Sequence, residues 1–156
     1  MATSLRITLP MPPSINGQYV TVGRRRVLSK DAKQFHKDVK SILGAARKAG
    51  AIAPATESHL QQSLLGVYLT FYFETPFRRD LDGGLKIALD ALCVELGIDD
   101  RSVVDLHLSK QIDPLNPRLE IEMEAIEGWT FDREYVLLEP PDGKEGARSR
   151  ERGAGA

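Results

Sequence analysis

Leu5-Arg6-Ile7-Thr8-Leu9 alternates apolar and polar residues without a break. A period of two marks a strand with one buried face, so a first strand is expected there. Pro10, Pro12 and Pro13 end it, because proline brings no backbone donor to a ladder, and an extended loop through Asn16 and Gly17 follows. Tyr19 to Leu28 predicts a short hairpin turning near Gly23, with Arg24, Arg25 and Arg26 on its return arm. Phe35, Val39, Ile42, Leu43 and Ala46 then recur at spacings of three and four. They form one face of a helix that Ser29 caps and that runs to about Lys48. Gly50 and Pro54 stop this pattern, and residues 51–62 read as a polar connector.

Leu64 to Glu74 is the densest apolar run. Its near-continuous hydrophobicity predicts a central strand, covered on both faces or sharing one face with another subunit. After the break at Thr75-Pro76, a helix is expected over residues 81–96, with Leu85, Leu89, Leu92 and Leu96 on one stripe and Gly97 just past its end. Ser102–Lys110 and Arg118–Ile126 read as two more strands, joined by a turn containing Pro114, Asn116 and Pro117. The pattern changes at Gly128. Residues 1–127 read as one domain and 128–156 as an extension, disordered from about Pro140, where Gly and charge replace apolar residues.

A chain of 156 residues suits one compact domain, and 42% hydrophobic with 28% charged residues is ordinary for a soluble one. The single cysteine, Cys93, lies in the second helical pattern and predicts a buried thiol in a reducing compartment. Arg6 and the prolines interrupt the only apolar stretch near the start, so neither a leader nor a membrane span is expected and the location expected is the cytoplasm. The formal net charge of −1 hides an asymmetry: residues 1–60 carry ten Lys/Arg against three Asp/Glu, and residues 61–127 carry six against thirteen. Such a split fits a polyanion held by one surface beside a local acidic site for metal; solvation of helix faces is the plainer explanation.

The acidic residues with the most specific spacing are Asp80 and Asp82, at the entrance of the second helix, and Asp99-Asp100 just beyond its end. Carboxylates two apart in an extended segment point the same way and can share one cation. Either could equally cap the helix. Gly83-Gly84 weaken the first turn by roughly 1 kcal/mol each relative to alanine, a loss that close approach of a phosphate would explain. Lys86, four residues after Asp82, reads as a surface ion pair with it or as a charge at the site's edge. Asp90 and Asp105 read as structural. Arg78-Arg79 and Arg24–Arg26 suit phosphate contacts, although each cluster alone is usually solvated surface. His36, His59 and His107 lack zinc-ligand spacing.

RRDLDGGLKIALDAL, then IDDRSVVDLHLSK, with LPMPPSIN upstream, resembles the RusA family of Holliday-junction resolvases over roughly residues 5–126. The resemblance implies a small two-layer α/β domain with a mixed sheet and two main helices. It also implies a homodimer that cuts four-way DNA junctions using Mg²⁺. The family's three carboxylates fall on Asp80, Asp82 and Asp100, its lysine on Lys86 and its N-terminal asparagine on Asn16. Where the family usually has Asn after DLD, this chain has Gly83. A junction-binding protein that does not cut, and a different DxD metal-dependent phosphotransferase, are the competing readings.

Overall fold

The computed structural model describes residues 3–14, 19–77 and 79–128. In chain order these form β1 (Ser4–Leu9), β2 (Tyr19–Val22), β3 (Arg25–Leu28), α1 (Lys30–Lys48), α2 (Pro54–Gln61), β4 (Leu65–Phe73), α3 (Leu85–Leu96), a single 3-10 turn (Asp100–Ser102), β5 (Val103–Ile112) and β6 (Arg118–Ala125). The sheet runs β1-β6-β4-β5, and β2-β3 makes a separate two-stranded sheet. β6 pairs antiparallel with both β1 and β4, and β5 runs parallel to β4 after the α3 crossover, so the fold is mixed α/β. The tail from residue 129, expected to be disordered from about Pro140, lies outside the described residues. No helix among the described residues is long and apolar enough to cross a membrane.

Alternation places the core. Leu5, Ile7 and Leu9 on β1, Leu119, Ile121 and Met123 on β6, and Val67, Leu69, Phe71 and Phe73 on β4 all point to one side and are buried. That side is covered by Phe35, Val39 and Leu43 of α1 and by Ile87, Ala88, Ala91, Leu92 and Leu96 of α3. Each large side chain so enclosed contributes roughly 1.5–3 kcal/mol relative to leaving it in water. The caps follow the local chemistry. Ser29 Oγ accepts the Ala32 N–H at 3.1 Å, and Gly97 takes the left-handed conformation at φ 64°. Ile98 N–H then closes onto Cys93 O at 2.9 Å, the bond that ends a helix in a Schellman turn.

Four expectations need correcting. β4 is central but not enclosed on both faces by its own chain, because Tyr68, Thr70 and Tyr72 are half-buried on the side away from the helices. That side is polar: Tyr68 donates to Glu124 at 2.9 Å and stacks on His107 at 4.7 Å, while Arg118 lies 3.8 Å over the Tyr72 ring. Residues 51–62 are not a plain connector. Pro54 opens α2, where a missing N–H costs nothing, and Leu60 anchors that helix in the core. The second long helix begins at Leu85 rather than 81, since residues 81–84 form turns. Its buried stripe is Ile87, Ala88, Ala91, Leu92 and Leu96, with Leu85 and Leu89 only partly buried at its margin.

Arg47 ties the helices together. Its guanidinium donates to Glu57 of α2 at 2.6 and 3.0 Å and to the Glu95 carbonyl of α3 at 2.8 Å. The hydrogen bond to Glu57 raises the Arg47 pKa against the effect of burial. Arg47→Met removes charge-assisted bonds that reach two helices at once. It should lower unfolding free energy by about 1–3 kcal/mol, measured by urea denaturation, without changing the secondary structure seen by circular dichroism.

Candidate active site

The site begins where β4 stops. Beyond Phe73 the chain bends through residues 74–77, and Asp80 and Asp82 stand in the turns that lead into α3. Neither caps the helix: Gly84 occupies the cap position and no side chain bonds to the first-turn N–H groups. The turn is closed by backbone carbonyls instead, Asp80 O accepting Gly83 N–H at 3.2 Å and Asp82 O accepting Leu85 N–H at 3.1 Å. Both residues are exposed, and neither carboxylate has a hydrogen bond or ion pair among the described residues. The capping alternative therefore falls away.

Two glycines follow, for different reasons. A Cβ on Gly84 would lie 2.5 Å from Pro12 Cγ and 3.4 Å from Arg79 Nη2, whereas one on Gly83 would meet only Asp80 O at 3.4 Å and Ser14 Cβ at 3.9 Å. The N-terminal proline segment thus packs directly on the aspartate turn. Close approach is expected of a phosphate; at Gly84 it is the buried ring of Pro12 that demands it. Asn16, two residues past Ser14, lies outside the described residues, as does Arg78.

Of the two readings of Arg79, the plain solvated cation does not hold. It is half-buried with its guanidinium 5.8 Å from the Phe73 ring centroid, and its Nε and Nη2 have no hydrogen-bond partner among the described residues. Burial lowers its pKa. The side chain forms part of the wall of a cleft of about 340 Å³ between Pro10–Pro13 and α1. Arg24, Arg25 and Arg26 are fully on the surface, around the turn of the β2-β3 hairpin where Gly23 has φ 62°. Arg26 lies 5.1 Å over the ring of Tyr19 at the hairpin's base, and Tyr19 contributes to the field on Lys86. The hairpin and the start of α3 thus share one side of the molecule.

At the far end of α3, the adjacent aspartates divide their work. Asp99 caps the 3-10 turn through the Arg101 N–H at 3.0 Å and takes the Arg101 guanidinium at 2.6 Å. Those bonds hold its carboxyl down at about 2. Asp100 has no hydrogen bond or ion pair among the described residues, so of the two it is the carboxylate left available. It lines a cleft of about 370 Å³ with Asp90, Cys93, Val94, Ile98 and Asp99. Burial, first of all, pushes the Cys93 thiol up to about 11, so this buried residue is no nucleophile. β5 doubles back beside β4, and the acidic turn stays with the C-terminal half of α3, a helix about 18 Å long at 1.5 Å per residue. Among the described residues no three Asp, Glu, His or Cys side chains gather to hold a metal ion.

Lys86 departs from the ion pair expected with Asp82. It bonds Asp90 Oδ2 at 3.2 Å, one turn onward, and not Asp82. Asp90 is the chief cause of its raised pKa, with Tyr19 and Asp100 adding to it. Asp90 and Tyr19 are the neighbours that residue order alone does not single out; the i, i+4 spacing from Lys86 is the signal for the first.

The family model described as "Endodeoxyribonuclease RusA" matches residues 10–124, from the proline segment to the last strand. No curated protein matches the chain.

The two glycines are separable by experiment. Gly84→Ala forces Pro12 or the turn to move and should destabilise the fold by about 1–3 kcal/mol in chemical denaturation. Gly83→Asn, with only ordinary contacts in its way, should melt within a few degrees of the unaltered chain.

Proposed function

We propose, from the premise that the chain belongs to the RusA endodeoxyribonuclease family, that it resolves four-way DNA junctions by metal-dependent phosphodiester hydrolysis. The work would take place in the cytoplasm, in recombination and repair. The observation that carries this reading is the pair of exposed carboxylates on Asp80 and Asp82, released from capping duty in a turn that packs at Gly84 on Pro12 of the proline segment. Their chemistry suits a hard cation bound through oxygen, and we assign Mg²⁺ to Asp80 and Asp82, with Asp100 as a third ligand that would have to move from the C-terminal half of α3 to join them. When bound, such an ion supplies an activated water and neutralises charge on the leaving oxygen. Lys86 holds its ammonium on Asp90 within the field of Asp100, where it would offset phosphate charge.

DNA would lie on the hairpin side. Arg24, Arg25 and Arg26 are exposed there, and Arg78, Arg79 and Asn16 are assigned to the same backbone contacts. Arg79 borders the cleft between the proline segment and α1. Its Nε and Nη2 are buried without a partner among the described residues, so they would reach a phosphate only after the side chain turns outward. The opposite face of the sheet is less suited to a polyanion: Glu120, Glu122 and Glu124 share that side of β6, with Arg118 and Arg6 paired to the first two. A homodimer matches the two-fold character of a junction cut symmetrically. The long edge strand β5, with Val104, Leu106 and Ile112 exposed and only β4 beside it among the described strands, is the seam we assign to it.

Asp82→Asn should reduce single-turnover cleavage of a four-way junction in Mg²⁺ by at least about a hundredfold, as for loss of a group that stabilises transition-state charge. Folding and junction affinity should persist. Cleavage near the original rate removes the carboxylate assignment. Tight junction binding by the unaltered chain without nicking, in Mg²⁺ or Mn²⁺, favours the binding-only reading that Gly83 in the family's Asn position raises.

Replacing Arg24, Arg25 and Arg26 together by alanine should weaken junction binding at every sequence tested. It should also flatten the slope of log affinity against log salt by about two to three, near 0.9 for each phosphate that the variant no longer neutralises. An unchanged slope would take the hairpin out of the DNA interface.

A further inference from the structure

Lys86 has an acidic residue one turn away on either side, Asp82 before it and Asp90 after it. On an isolated helix the acid-before-lysine order is the better one, which favours Asp82. The structure takes the other choice, with Lys86 Nζ 3.2 Å from Asp90 Oδ2. The reason is local. Asp82 precedes the helix, in the turn forced by Gly84 against Pro12, whereas Asp90 sits inside α3 on the same flank as Lys86. Asp90 is also half-buried and borders the cleft that holds Asp100.

We propose that Asp90 is the positioning residue for Lys86: it draws the ammonium away from Asp82, leaving that carboxylate unpaired, and holds it on the flank of α3 that faces the Asp100 cleft. The consequence for chemistry rests on the functional reading above; the pairing itself does not. A lysine on an exposed helix samples many rotamers, and a fixed carboxylate one turn away narrows them. An ammonium that swung onto Asp82 would cancel the charge that makes Asp82 useful to a cation. Asp90 thus acts on two site residues through one ion pair, with no contact to substrate required of it.

Two measurements on the full-length chain decide this. The first needs no activity. Trace acetylation by acetic anhydride near pH 8, read by mass spectrometry at Lys86 relative to the other lysines, reports how firmly its ammonium is held. Asp90→Asn should raise the Lys86 rate about twofold, the scale of one helical ion pair, and Asp82→Asn should leave it unchanged. A rise with Asp82→Asn and none with Asp90→Asn overturns the proposal.

The second measurement is single-turnover junction cleavage, with circular dichroism melting as the check on folding. Asp90→Asn should slow cleavage on the order of tenfold, the scale expected of a misplaced catalytic group, at junction affinity within about twofold of the unaltered chain. Asp90→Glu, which still reaches Lys86, should recover most of the rate, and Asp90→Asn should add no further loss to Lys86→Met. Full activity in Asp90→Asn, or losses that add in the double variant, overturn the positioning role. If the unaltered chain cuts no junction, the functional reading fails, and acetylation still decides which aspartate holds Lys86.

Discussion

The site depends on a missing methyl group. Gly84 has no Cβ, and the ring of Pro12 occupies the space one would fill. Through that contact the segment after β1 is set on the turn that carries Asp80 and Asp82, although more than sixty residues separate them along the chain. Arg79 Nη2 borders the same point, and Ser14 lies beside Gly83. One steric fit therefore fixes the relative placement of two acidic side chains, a half-buried guanidinium and the loop that leads to the basic hairpin. A polar contact would do this at greater cost, since a buried hydrogen bond must be matched at both ends.

A second organising feature is the division of the sheet. One face is buried under α1 and α3, and the other carries Glu120, Glu122 and Glu124 with Tyr68, Tyr72 and His107. Alternation makes both faces from the same strands, so the apolar positions that build the core also determine where the acidic ladder points. The basic side chains of the hairpin belong to a separate two-stranded sheet.

What can be read from residue order alone is whatever local chemistry decides. The period of β1, the Ser29 cap, the apolar face of α1 and Gly97 at the end of α3 all reappear in the structure. α2 escapes such a reading because eight residues with a single buried side chain carry almost no periodic signal, and Pro54 reads as a stop when in fact it is a start. Tyr68 and Tyr72 make β4 look apolar throughout, although their outer face meets Glu124 and Arg118. The candidate ligands can be named from the sequence but not arranged. Whether Lys86 pairs forward or backward, and which of Asp99 and Asp100 is free, are decided by where α3 starts and by Arg101. Spacing offers Lys86 two partners without choosing between them, and it does not say which of the adjacent aspartates is free.

The acidic ladder has a consequence for motion as well as for affinity. On that face the glutamates outnumber the Arg6 and Arg118 guanidinium groups that pair with two of them, while the hairpin carries three exposed arginines. Near a polyanion such an uneven charge distribution experiences torque. Tumbling is then biased before any contact forms, turning the Glu120–Glu124 face outward and the hairpin inward within about one Debye length, roughly 8 Å at physiological ionic strength. A chain whose formal net charge is only −1 gains little from long-range attraction. If it acts on branched DNA as proposed, its approach would be governed by rotation more than by pull, and the glutamate face would help to set how many collisions arrive the right way round.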